Sequence, residues 1–287
     1  MKTLKRILAA TTLLVTLGFA SEANAQVPLE NFFKNPEKAG YQISPDGKYF
    51  SYMAPYENRL NLFVQEVGSD KATRITSETV RDLAGSMWAN GHRILYIKDT
   101  AGDENFQLYG VNVDGTDSKA YTAFPKVRTT IIDPLENIDS LVIIGLNKRN
   151  PQVFDPYRLN LNNGELTQLA ENPGNIQGWM TDHNGKLRVA LAIVDGVNTQ
   201  ILYRETEEQP FRPVLTTNFK ETVSFATFTP DNKMVYALTN IGRDKTALVL
   251  MDPATCEEKE VLYTNDKYDI SGLGYSCLLY TSPSPRD

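Results

Sequence analysis

Few residues in this chain have the chemistry to act on or hold another molecule. Its only histidines, His92 and His183, fall in the turn-like segments Trp88-Ala89-Asn90-Gly91-His92 and His183-Asn184-Gly185-Lys186. A general base or a metal ligand needs partners converging on the imidazole. Two histidines in separate turns supply none to each other, so both are expected to be solvated turn residues. Cys256 sits in Pro253-Ala254-Thr255-Cys256-Glu257-Glu258, where neighbouring carboxylates raise a thiol pKa and work against a nucleophilic role. The densest polar cluster is Asp103-Glu104-Asn105. It is the one candidate for contact with a substrate or a second domain, against the competing reading of a solvated loop that keeps a sheet edge polar. Trp88 and Trp179 are expected to anchor sheet cores rather than to form a ligand platform. Phosphate-binding glycine loops, CxxC pairs and Ca²⁺-loop spacing are absent. The sequence therefore assigns no catalytic residue, no cofactor and no metal site.

The elements that must position these residues are strands. Five turns recur along the chain: Ser44-Pro45-Asp46-Gly47-Lys48, Trp88-Ala89-Asn90-Gly91-His92, Asp133-Pro134-Leu135-Glu136-Asn137, His183-Asn184-Gly185-Lys186 and Thr229-Pro230-Asp231-Asn232-Lys233. Their spacing of about 44–48 residues is the length of one propeller blade. A short apolar run precedes the turns, as in Thr129–Ile132 and Val223–Phe228, and three strand-like runs follow each, such as Leu187–Val194, Gln200–Glu205 and Arg212–Leu215. Sheets of such short strands cannot bury both faces alone, so apolar residues on both faces imply neighbours on either side. The expected fold is all-β: a propeller of five complete four-stranded blades and the start of a sixth, in an incomplete ring. The units run over about 43–79, 80–124, 125–173, 174–219 and 220–265, with the next beginning at 266–276 through an opening strand at Tyr268–Leu273. Residues 26–42 form a lead-in, with one helical turn at Leu29–Lys34.

Both ends differ from the repeats. Residues 1–25 join a basic start (Lys2, Lys5, Arg6) to an apolar run and an Ala23-Asn24-Ala25 cleavage pattern, which predicts a signal peptide cut after Ala25 and a periplasmic or secreted protein. Residues 277–287 follow no strand or helix logic and resemble the translation of a sequencing adapter, a non-native tail on a reading frame that would continue past Ser276. The chain is 41% hydrophobic with a formal charge of −6, an ordinary globular composition that turns more acidic once the basic start is removed. Without a Lys/Arg cluster it offers no electrostatic footprint for nucleic acid or for an anionic membrane. Cys277 lies in the foreign tail, leaving Cys256 as a single native thiol and no intrachain disulfide.

The stretch Ile43-Ser44-Pro45-Asp46-Gly47-Lys48, the loop Asp99-Thr100-Ala101-Gly102-Asp103-Glu104-Asn105 and the segment Phe154–Leu161 followed by Gly164-Glu165 resemble the N-terminal propeller of the prolyl oligopeptidase family of serine peptidases. Glu171-Asn172-Pro173-Gly174, leading to Gly178-Trp179 and Asp182, is similar to the next blade of exported bacterial members. The resemblance covers about residues 28–275. It implies a propeller that filters peptides towards an α/β-hydrolase domain with a Ser-Asp-His triad on a Gly-x-Ser-x-Gly elbow. No such elbow is present: Gly274-Tyr275-Ser276 continues into Cys277-Leu278. Dipeptidyl-peptidase-like members hold the substrate amino group with paired glutamates on a helical insertion, and none is visible here. The expected function is the substrate-gating part of a peptidase, inactive by itself and able to self-associate through exposed blade faces. The alternative is a non-catalytic periplasmic propeller that binds proteins. A propeller enzyme working from its central channel is disfavoured by the lack of clustered histidines.

Overall fold

The computed structural model describes residues 27–34 and 36–274. The expected signal peptide at 1–25 and the foreign tail at 277–287 lie outside the described residues. The chain divides into two compact units, 1–36 and 37–287. In the first, α1 (Glu30–Phe33) is a single turn with no buried residue, in agreement with the short helical stretch expected there.

The second unit is built of strands alone, in five four-stranded antiparallel sheets, each a meander in chain order. Blade one holds β1 (Ala39–Ile43), β2 (Tyr49–Tyr56), β3 (Arg59–Glu66) and β4 (Ala72–Arg74). Blade two holds β5 (Gly85–Asn90), β6 (Arg93–Lys98), β7 (Gln107–Asn112) and β8 (Lys119–Ala120). Blade three holds β9 (Thr129–Asp133), β10 (Leu141–Asn150), β11 (Val153–Asn160) and β12 (Leu166–Gln168). Blade four holds β13 (Ile176–Thr181), β14 (Leu187–Val194), β15 (Asn198–Tyr203) and β16 (Arg212–Thr217). Blade five holds β17 (Val223–Phe228), β18 (Val235–Thr239), β19 (Ala247–Met251) and β20 (Glu258–Tyr263). The expected all-β propeller with five complete blades is borne out. Each of the five recurring turns joins the first strand of a blade to its second.

Turn chemistry explains the repeat. In the first blade the Ser44 hydroxyl donates to Asp46 Oδ1 at 2.7 Å and accepts from the Tyr49 amide at 2.9 Å. Thr229 repeats this in the fifth, donating to Asp231 Oδ1 at 2.6 Å and accepting from the Met234 amide at 3.1 Å. The fourth turn residue has positive φ in both, +71° at Gly47 and +59° at Asn232, which is why Gly and Asn stand there.

Two segments depart from the sequence expectation. β1 begins at Ala39, inside the lead-in assigned to 26–42, and pairs with β2. Tyr268–Leu273, expected to open a sixth blade, carries no strand. The first strand of a blade pairs only with the second strand of the same blade, and none follows among the described residues. Instead the Ile270 amide donates to the Thr246 carbonyl and Asp269 Oδ1 accepts from the Thr246 amide.

The core lies between sheets. One buried apolar cluster joins blades one and two (Leu62, Val64, Ile94, Val111), a second joins two and three (Leu95, Leu108, Ile144, Leu159), and a third joins four and five (Ile201, Phe228, Val235, Val249). None of the three spans blades three and four. No strand pairing joins blade five to blade one. Blade one carries an aromatic row of Tyr41, Phe50, Tyr52 and Phe63 on the face turned away from blade two.

Candidate functional site

The missing apolar cluster between blades three and four is where the molecule is most open. The first strands β9, β13 and β17 line a cavity of about 630 Å³ at the end of the sheets that carries the five recurring turns. A second, of about 490 Å³, lies along β9 and β13 towards the opposite end, bounded by the β10–β11 hairpin and Asn172–Gly174. Trp179 on β13 borders both.

Trp179 is half-buried, which corrects the expectation that both tryptophans anchor sheet cores. Trp88 does so, packed with Leu62, Val64 and Ile94. On β13 the alternation of strand residues gives that role to Met180, which packs on the cluster between blades four and five. Trp179 is turned to the other face, where Ala190 stands opposite it, and its ring lies 5.6 Å from that of Phe211. A small cross-strand neighbour lets a large indole lie across the sheet.

Polar side chains fix the strands around these cavities. Asp133, at the end of β9, accepts from the Leu135 amide at 2.8 Å and from the Thr181 hydroxyl on β13. Asp182 accepts from the amides of Asn184 and Lys186, each at 3.0 Å, and lies 3.5 Å from Arg188. Glu136 is exposed at the cavity wall and makes no hydrogen bond or ion pair among the described residues. At the other cavity, Asp155 is fully buried and takes both arms of Arg149 at 2.9 Å. The same carboxylate accepts from the Asn172 amide at 2.7 Å, and Asn172 in turn accepts from Gly174 and Ile176. Asp155 and Asn172 stood in the segments that carry the family resemblance, but nothing in the sequence showed that they bind each other.

The histidines separate. His92 is exposed, as expected, whereas His183 is half-buried and ties blade four to blade five. Its amide donates to Asn232 Oδ1 and its Nε2 lies 2.9 Å from the Phe228 carbonyl. A carbonyl only accepts, so Nε2 carries the proton and is not free as a base. His183 lines the larger cavity through this fixed position. Cys256 is largely enclosed, and burial first, then the nearby Asp252 carboxylate, pushes its thiol up to about 11. The direction matches the sequence expectation, but burial rather than the acidic turn dominates.

Asp103, Glu104 and Asn105 lie in the β6–β7 loop, outside the lining of both cavities. Asp103 Oδ1 accepts from the Thr100 and Asn105 amides, and the Asn105 side chain donates to Asp103 Oδ2 at 3.1 Å. The Asn105 side-chain bond is the main reason the Asp103 carboxyl falls below the usual range. Arg81 braces the loop by its ion pair with Asp99 at 3.4 Å and by lying over Gly102. Gly102 has φ +89°, and a Cβ there would meet the guanidinium at 3.5 Å. The three residues form an ordered turn with the Asp103 and Glu104 side chains in solvent.

The fold thus defines a β-propeller domain whose first strands enclose a polar, aromatic-walled space. Among proteins of similar sequence, dipeptidyl aminopeptidase BIII of Pseudoxanthomonas mexicana is 30% identical over 249 residues, covering 84% of this chain and 35% of that protein. Dipeptidyl peptidase family member 6 of Caenorhabditis elegans is 27% identical over 281 residues, covering 91% of this chain and 37% of that protein. The chain therefore spans little more than a third of the length of these relatives. Among solved structures, oligopeptidase B from Leishmania major superposes with a TM-score of 0.54 at 10% identity, over 80% of this chain and 35% of that one. No family model matches the chain. Its homologues are peptidases, and the resemblance to the propeller of prolyl oligopeptidase-type enzymes is borne out.

Proposed function

We propose that this chain is the substrate-gating propeller portion of an exported serine peptidase acting on peptides, and that bond cleavage belongs to an α/β-hydrolase domain outside this chain. The observation that carries the reading is the similarity to a dipeptidyl aminopeptidase over 84% of the chain but only 35% of the relative. The remaining length of such a relative can hold the nucleophile elbow, the histidine base and the orienting carboxylate that acyl transfer requires. The propeller contributes selection by size: its cavities admit an extended peptide or a side chain and exclude a folded domain. The braced Asp103–Asn105 turn is suited to contact with the catalytic domain, since its acids are held in place yet exposed.

The test is genetic and then enzymatic. The genomic DNA downstream of codon 276 is expected to encode a hydrolase domain with a Gly-x-Ser-x-Gly segment. The extended protein should cleave chromogenic peptide substrates and be silenced by a serine-directed inhibitor, while the present chain gives no turnover. A stop codon after one or two further blades would overturn the reading, as would serine-directed turnover by the present chain. Self-association is part of the same proposal, supported by the aromatic row on blade one and by the exposed Tyr41, Ile43 and Tyr263. Light scattering is expected to show oligomers, and a monomer at all concentrations would remove that element.

A further inference from the structure

We propose that the larger cavity, at the mouth formed by β9, β13 and β17, is a subsite for an organic cation and takes the basic side chain of a peptide. The inference rests on the peptide-gating reading and adds to it the class of side chain selected.

Three observations converge on this site. Its lining contains the carboxylates Asp133, Glu136 and Asp182 and no lysine or arginine. Asp182 is internally balanced, because Arg188 lies 3.5 Å away and two backbone amides point at it. Asp133 faces only neutral donors, the Leu135 amide and the Thr181 hydroxyl, and so keeps its charge uncompensated. Glu136 has no partner among the described residues. Two negative charges are thus left for a guest. The second observation is the wall opposite them. Trp179 and Phe225 present aromatic surface to the cavity, and Trp179 is the one tryptophan with its ring open to it. An indole face attracts ammonium and guanidinium groups, most strongly where water is partly excluded. The third is the volume, about 630 Å³, far more than a bare metal ion needs and enough for an alkyl chain with its charged head. An apolar stem against Trp179 and Phe225 with its head towards Glu136 satisfies both halves of the lining, as long basic side chains do elsewhere. An acidic or neutral side chain satisfies only one. His183 does not alter the balance in its neutral form, because its Nε2 proton is held by the Phe228 carbonyl.

The test uses the whole chain and calorimetric titration. Probes are blocked glycine-X-glycine peptides with lysine, norleucine or glutamate at X, together with butylammonium as the isolated side-chain head. The lysine peptide is expected to bind on the order of tenfold more tightly than the norleucine peptide, with the glutamate peptide weaker than both. Glu136→Gln, at an exposed position, should cut the lysine preference by roughly fivefold without changing the circular dichroism spectrum. Trp179→Leu should weaken lysine and butylammonium together. Equal binding of lysine and norleucine peptides, or a preference unchanged in Glu136→Gln, overturns the cation subsite and leaves peptide gating standing. Binding of butylammonium without any peptide supports the cation subsite and counts against peptide gating. No binding of either probe overturns the subsite.

Discussion

Blades two and three meet very differently from blades three and four. The first seam is closed by ten buried apolar residues, among them Leu95, Leu108, Ile144 and Leu159, each nearly inaccessible to solvent. The second is bridged by arms: Arg158 reaches the Gly185 carbonyl at 2.9 Å and Glu207 at 2.7 Å, Arg204 reaches the Leu169 carbonyl at 3.3 Å, and Thr181 donates to Asp133. Apolar packing is non-directional and fills whatever space the sheets leave. Hydrogen-bonded arms hold two sheets at a distance and leave room beside them. The cavities and Trp179 accordingly lie where the seam is polar. One seam supplies stability, and the other supplies space.

The contrast can be broken by substitution. Ile144→Ala in the apolar seam should cost the most, about 3–4 kcal/mol in chemical denaturation, because it empties a fully buried site between two rigid sheets. In the polar seam Glu207→Ala should cost about 2 kcal/mol, since Arg158 loses its ion pair and the Leu187 amide loses its acceptor. A Glu207→Ala cost equal to that of Ile144→Ala would show that the polar seam is as tightly built as the apolar one. Acid should reveal the same seam without mutation. Burial pushes the Glu207 carboxyl up, but the Leu187 amide and Arg158 together outweigh it, and the group titrates below its ordinary value of 4.5. A lowered folded-state pKa means stability that is present above pH 4.5 and is lost as the pH falls through the folded value. Denaturation midpoints of Glu207→Gln should therefore fall less steeply below that pH than those of the parent, and parallel curves would argue against the assignment. The smallest effect is expected from Thr181→Val, which removes the hydroxyl donated to Asp133, at about 1 kcal/mol. Its hydrogen-exchange consequences should be confined to β9 and β13, and spread into the seam of blades two and three would blur the distinction.

Most of the architecture was legible because its signals are local. Leu187–Val194, Arg93–Lys98 and Ala247–Met251 have the bounds that their alternation suggests. The strand β10 runs on to Asn150, past the expected Leu146, because the Arg149–Asp155 pair extends the hairpin with residues that read as polar loop. The site was much less legible. Trp179 reads like Trp88 in sequence, and His183 reads like His92, yet each pair splits between differently placed positions. Asp133 looked like an ordinary turn-capping residue, and the hydroxyl that meets it lies on the next blade.

The sequence by itself determined the period, the turns and the strands, since these depend on φ preferences, hydroxyl–carboxylate capping and the two-residue alternation of side chains within a few residues. Tertiary structure decided which seams are dry, where the cavities open and which acids keep their charge. Those properties depend on partners about one blade away in sequence, such as Asp133 with Thr181, His183 with Phe228 and Arg158 with Glu207. No local pattern records which side chain the neighbouring sheet will present.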